Sequence, residues 1–322
     1  LHMGWLRKAL VYSVLKESSF DSAGVTLHYL DWGGAGLPLV LLAGLGGTAQ
    51  WYRGLAPKLV TDFRVLALTR RGHGRSDKPD TGYDLPTLVD DIGRFRDVIQ
   101  IDKAVLVGHS FAGIEMPHFA RRYPERVAGL IFLDAVFPHL DPEPDLSDDP
   151  VWSAAIPEMV EADLISPEAY LAYHRRNRPD IARIWCEAVE ADLLDKINIQ
   201  DDGRVVPHHD DELMNRIVSE IWPVRDPRYE DVRVPMLAIV PDGDTHHGVP
   251  LDASERQRQV ADRYWQEKVL PWIRRRTATF RRNAPTAHIA ELDAPNHLIF
   301  IAKEDDTVAA IKQFGQIADP PR

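Results

Sequence analysis

The run Val105-Leu-Val-Gly-His-Ser-Phe-Ala-Gly113 constrains this chain more than any other stretch. Ala104 to Val107 is a continuous apolar segment, the pattern of a strand buried on both faces. Gly108-His-Ser-Phe-Ala-Gly113 then forces a sharp turn, and a helical pattern follows at once. A strand that turns this abruptly into a helix pushes the side chain at the turn, here the hydroxyl of Ser110, out beyond the strand end. It also aims the N–H of the next residue, Phe111, at the place where an oxyanion facing that hydroxyl would form. Gly108 and Ala112, two positions either side of Ser110, let strand and helix approach, so the pattern is G-x-S-x-A.

The rest of the first half alternates in the same way. Val25–Trp32, Pro38–Ala43, Phe63–Leu68, Ala104–Val107 and Gly129–Leu133 read as strands. Leu88, Ile92, Phe95 and Ile99 recur at helical spacing, and a helix is expected from Phe111 to Tyr123. Pro117 lies inside that helix, where a proline costs about 3 kcal/mol, so a local kink is expected. Such alternation predicts a mostly parallel sheet with helices on both faces. The composition changes at Pro138, where a stretch rich in Pro and Asp runs to Pro150. From Val151 to about Trp222 the pattern is helical and polar, with Trp152, Tyr170, Tyr173, Trp185 and Trp222 expected to pack. The sheet resumes at Val234, and a helical stretch from Asp252 to about Arg282 precedes a last strand, Ile289–Leu292.

These segments together resemble the α/β-hydrolase superfamily, of the kind that carries a cap domain. Leu39-Val-Leu-Leu-Ala-Gly-Leu-Gly-Gly47 is similar to that family's strand and oxyanion loop, with Ala43-Gly44 where relatives carry His-Gly. Thr69-Arg-Arg-Gly-His-Gly-Arg-Ser-Asp77 resembles its D-x-R-G-x-G-x-S loop, with Thr69 in place of Asp. Arg71 and Asp77 there read as structural ion-pair or turn residues. Val234 to Asp244 resembles the strand that delivers an acid, and Ala294-Pro-Asn-His-Leu298 the loop that carries a histidine. The resemblance implies an α/β fold, a mostly parallel central sheet flanked by helices with a helical cap insertion. The organisation it implies is a first part of the core at 1–137, the cap at 138–230 and a second part of the core at 231–322.

A serine hydroxyl is a weak nucleophile at neutral pH and needs a base, which in turn needs an orienting acid. Ser110 is the nucleophile candidate and His297 the base candidate. The resemblance favours Asp244 as the acid. Asp134 is the alternative, since it ends the strand Leu130-Ile-Phe-Leu-Asp134, where some relatives place theirs; Asp242 is a near neighbour of Asp244 that must be told apart from it. The substrate's oxyanion would be bound by the backbone N–H groups of Leu45 and Phe111. His109 reads as packing. No cofactor-binding or metal residue is expected: His208-His-Asp-Asp211 and His246-His247 lack zinc-site spacing. Arg274-Arg-Arg276 with Arg281-Arg282 reads as a solvated helix face, and Cys186 as a small buried hydrophobe.

The chain has 322 residues and a net charge of -11, which argues against a nucleic-acid partner. A single cysteine excludes a disulfide framework. No stretch approaches the roughly 18 apolar residues of a membrane span, and the cytoplasm is the expected compartment. Leu1-His2 ahead of Met3 reads as an expression remnant, and Trp5 to Leu15 as a surface or capping helix, since no cleavage pattern follows its apolar run. The expected activity is that of a cofactor-free carboxylesterase acting on a small-molecule ester. The same triad in relatives cleaves amides or peptides, opens lactones or hydrolyses carbon–carbon bonds, and some relatives are small-molecule receptors. A serine at the turn disfavours the epoxide hydrolase and haloalkane dehalogenase chemistry that uses aspartate there. The oligomeric state stays open, a homodimer included.

Overall fold

The protein was described from a computed structural model, which covers residues 15–137, 156–208, 211–243, 249, 252–294 and 296–318. In chain order its first part contains β1 (Lys16–Asp21), β2 (Thr26–Gly33), β3 (Leu37–Leu42), β4 (Phe63–Leu68), α1 (Leu85–Val98), β5 (Ala104–His109), α2 (Ala112–Arg122) and β6 (Val127–Leu133). An inserted segment follows, with α3 (Pro167–Asn177), α4 (Pro179–Ala182), α5 (Glu187–Leu194), the hairpin β7 (Ile197–Ile199) and β8 (Val205–Pro207), and α6 (Asp211–Ile221). The chain returns to the main sheet with β9 (Met236–Pro241), α7 (Glu255–Tyr264), α8 (Leu270–Asn283), β10 (His288–Leu292), α9 (Ile299–Ala302) and α10 (Glu304–Ala318). The Trp5–Leu15 segment, apart from Leu15 itself, lies outside the described residues. Among the described residues, no helix is long and apolar enough to cross a membrane.

The main sheet has the order β1-β2-β4-β3-β5-β6-β9-β10. β1 and β2 are antiparallel, as are β2 and β4; every pair from β4 to β10 is parallel. The central strands are parallel and buried on both faces, which is why they read as unbroken apolar runs. Alternate residues supply two separate cores, because successive side chains point to opposite faces. Val40, Leu106, Phe132 and Ala238 pack with α1 and α2 on one face. Leu39, Val105, Ile131 and Ile239 pack with α9, α10 and part of the inserted segment on the other. α2 continues through Pro117. Between α7 and α8 the helix widens to a π-turn at Trp265–Val269, directly before Pro271. A wider turn relieves the clash of a proline ring with the preceding carbonyls.

The register fixes where chemistry can occur. His109 on β5 pairs with Leu133 on β6, so the residues that follow, Ser110 and Asp134, leave adjacent strands at the same edge of the sheet. β9 and β10 end beside them. This carboxyl edge is where parallel α/β sheets place their ligands.

Candidate active site

Ser110 occupies the turn from β5 into α2 with φ at +50°. A left-handed backbone at a non-glycine residue costs roughly 1–2 kcal/mol, and such strain concentrates at functional sites. The turn is held by the Gly113 N–H donating to the Ser110 carbonyl at 2.8 Å and the Ser110 N–H donating to the Leu133 carbonyl at 3.3 Å. It also needs its small residues. A Cβ on Gly108 would lie 2.9 Å from that of Ala112, and one on Gly113 would lie 1.9 Å from the Ala135 carbonyl oxygen.

The loop after β3 passes against this turn. A Cβ on Gly44 would sit 3.0 Å from the Ser110 Cβ and 2.8 Å from the Nδ1 of His109. Among the described residues, no hydrogen bond uses the N–H of Leu45 or of Phe111 as donor. Arg70 fixes both segments. Its guanidinium makes a bidentate pair with Glu115 on α2, at 2.7 and 2.6 Å, with both partners buried. It donates to the carbonyls of Ala43 at 3.1 Å and Gly44 at 3.4 Å, and it lies 5.0 Å from the centre of the Phe111 ring. Arg70 went unnoticed in the sequence because the motif directs attention to Arg71. Arg71 instead pairs with Asp91 at 2.7 and 2.8 Å, and Asp77 accepts from the Thr26 N–H at 2.7 Å, both as structural contacts.

Asp134 leaves β6 with φ at +47° and is buried. Its Oδ2 lies 2.6 Å from Nδ1 of His297. Its Oδ1 accepts from the Nη2 of Arg276 on α8. His297 lies in the loop between β10 and α9, with its side chain 55% exposed. The preceding Asn296 braces that loop, its Oδ1 accepting from the Leu298 N–H at 2.8 Å and its Nδ2 donating to the Asp180 carbonyl at 2.9 Å. In a histidine whose Nδ1 is held by a carboxylate, proton exchange runs through Nε2. His109 packs beneath, its ring centre 4.5 Å from that of His297 and its Nε2 3.0 Å from the His297 carbonyl oxygen. A carbonyl only accepts, so this Nε2 carries the hydrogen. Burial, then the neighbouring His297, holds His109 well below the usual histidine pKa and keeps it neutral.

The acid favoured by resemblance, Asp244, lies outside the described residues. Asp242 is not part of the cluster; it forms an exposed pair with Arg274 at 3.1 Å. The expectation that Arg274 to Arg276 forms a solvated face holds for Arg274 and fails for Arg276, which is 2% exposed. The reason is periodicity: Leu270, Ile273, Arg276, Thr277 and Phe280 form the inward stripe of α8. Of the aromatic residues expected to pack in the insertion, Tyr170 and Tyr173 are buried, and Trp152 lies outside the described residues. Of the two histidine clusters, His208 and Asp211 are described, and His246-His247 lies outside the described residues.

The inserted segment is anchored on the segments that follow β3 and β4. Asp192 on α5, itself buried, accepts from the Thr48 N–H at 2.8 Å, the Thr48 hydroxyl at 2.9 Å and Lys196 at 2.5 Å. Asp195 meets Arg75 at 3.1 Å and Gln50 at 3.4 Å. Burial raises the pKa of Asp195, against the pull of Arg75.

A family model described as the alpha/beta hydrolase fold matches residues 38–170. The crystal structure of E-2-(acetamidomethylene)succinate hydrolase superposes with a TM-score of 0.71, covering 94% of this chain and 99% of that one at 21% identity. The chain has the α/β-hydrolase fold. It is 28% identical over 221 residues to 2-(acetamidomethylene)succinate hydrolase of Mesorhizobium japonicum, covering 68% of this chain and 75% of that protein. It is 38% identical over 130 residues to non-heme chloroperoxidase of Streptomyces lividans, covering 38% of this chain and 47% of that protein. The chain thus spans under half the length of the chloroperoxidase it matches.

Proposed function

We propose that the chain is a serine hydrolase that cleaves carboxylic esters through an acyl-enzyme, with Ser110 as nucleophile, His297 as base and Asp134 as acid. The observation that carries this reading is the 2.6 Å contact between Nδ1 of His297 and the buried Asp134, at the strand edge where Ser110 sits on a left-handed turn. Asp134 takes the acid's place in this reading because its carboxylate is bonded to the histidine, while Asp244 lies outside the described residues.

Nε2 of His297 takes the proton of the Ser110 hydroxyl as Oγ attacks the ester carbonyl. The tetrahedral oxyanion is bound by the N–H groups of Leu45 and Phe111, which Arg70 holds from behind. His297 gives its proton to the departing alkoxide, and the acyl group stays on Oγ. A water molecule then loses a proton to His297 and adds its oxygen to the acyl carbon. Collapse returns the proton to Ser110 and frees the carboxylic acid. Asp134 stays ionised throughout and stabilises the imidazolium. The inserted segment acts as the cap, and through Asp192 and Asn296 it reaches both the loop after β3 and the histidine loop.

Amide cleavage is the second reading. It is favoured by the match across 68% of the chain to an enzyme whose name specifies an acetamido substrate. The steps are the same, except that His297 must protonate an amine leaving group. Turnover of p-nitrophenyl esters from C2 to C12 by wild type and Ser110→Ala, beside the matched anilides, tests both. Ester turnover lost in Ser110→Ala supports the first reading. Anilide turnover exceeding ester turnover supports the second. A variant as active as wild type sinks both.

A further inference from the structure

Arg276 is a cation where the pattern of α8 calls for an apolar residue. It shares the inward stripe with Leu270, Ile273 and Phe280 and is 2% exposed. Its guanidinium carbon lies 4.5 Å from the centre of the Trp272 ring, and its Nε has no partner among the described residues. Burial alone pulls its pKa below the ordinary arginine value. An aliphatic side chain would fill this place without the desolvation cost of a cation. What the charge does there is meet Asp134: Nη2 holds Oδ1, and Oδ2 is left facing the Nδ1 of His297.

We propose that Arg276 is a positioning residue for the acid–base pair, turning Asp134 toward His297, keeping it ionised and offsetting part of its field at the imidazole. The proposal rests on the reading of Asp134 as the acid. A carboxylate shared with a guanidinium stabilises an imidazolium less than an unshared one, so His297 stays a free base to lower pH. Among the described residues, the other ionisable groups near the pair do not take this role: His109, from β5, is neutral, while Arg274 and Arg281 turn outward to Asp242 at 3.1 Å and Glu291 at 3.3 Å.

The test is the pH profile of kcat/KM on the best ester for wild type, Arg276→Gln, Arg276→Lys and Asp134→Asn. Gln can still donate to Oδ1 but carries no charge. It should move the acidic limb up by about half a unit to one unit, with the plateau lowered roughly tenfold. Lys restores the charge without the planar fork. It should bring the limb back to within about 0.2 of a unit of wild type on the same electrostatic argument. A Gln variant with a lower melting temperature and plateau but an unmoved limb overturns the proposal, because packing alone then explains Arg276. If the Gln variant does not fold, wild type decides: a limb at or below about 6.5, the reference histidine value, supports the proposal, and one above about 7.5 overturns it. Asp134→Asn with wild-type turnover removes the underlying reading and the proposal with it. An inactive Asp134→Asn beside an unmoved Gln limb removes the proposal alone.

Discussion

The proposed site depends on two non-glycine residues, Ser110 and Asp134, that leave neighbouring strands with positive φ. The strain is tolerated because the residues around it are small or pinned. Gly44 is the tightest of these contacts to Ser110. In Gly44→Ala the new Cβ, 3.0 Å from the Ser110 Cβ, must push the loop after β3 away from the turn. Kinetic assay should show kcat/KM at least tenfold lower, as for a misplaced oxyanion donor. Wild-type kcat/KM in this variant would mean that the loop does not serve the reaction. Ser110→Ala should lower kcat by roughly 10⁴–10⁶ in the same assay. These residues were legible in the sequence because their spacing along the chain is itself the motif. Arg70 and Arg276 were not: a guanidinium's partner is set by distant elements, and a run of arginines looks the same whether one of them faces inward or none does.

Elements formed by continuous apolar runs were also legible, and Phe63–Leu68 is the same span in the sequence and in the fold. β1 was not foreseen. Its sequence, Lys16-Glu-Ser-Ser-Phe-Asp21, turns only Phe20 inward, and it exists as an edge strand because β2 offers it a partner. The inserted segment showed its helical character in the sequence but not its attachment. That attachment runs through Asp192, 144 residues from Thr48. Asp192→Ala leaves the Thr48 N–H and Lys196 without their buried acceptor and should cost about 3 kcal/mol in urea unfolding. A change under about 0.5 kcal/mol, the level of a surface substitution, would show that this contact does not secure the segment.

The molecule holds His109 buried and His118 half-buried, both with lowered pKa, and they give its stability a sign with pH. Burial, with Arg121 adding to it, pulls His118 on α2 down to about 4, and burial pulls His109 well below the usual value. In the unfolded chain both titrate near 6.5. Below that pH the unfolded chain takes up protons that the folded one refuses, so stability is full above about 6.5 and is lost as pH falls toward the folded values. His118 is half-buried, and with solvent screening its share is about 1 kcal/mol between pH 6.5 and 4. Urea midpoints should therefore fall from pH 7 to pH 4.5, and His118→Gln should flatten part of that slope. A midpoint that rises with acidification would contradict this. The division of the sheet into two covered faces was readable from periodicity. The choice of acid was not, because Asp134 and Asp244 both follow apolar strands in the sequence.

The central claim, that Ser110 and His297 work with Asp134, is tested most directly by kcat/KM for Asp134→Asn and Asp244→Asn side by side. The account predicts a loss of about 10³–10⁴ for Asp134→Asn, as when a triad loses its orienting acid, and only a few-fold change for Asp244→Asn. The reverse order, with Asp244→Asn inactive and Asp134→Asn near wild type, would contradict it.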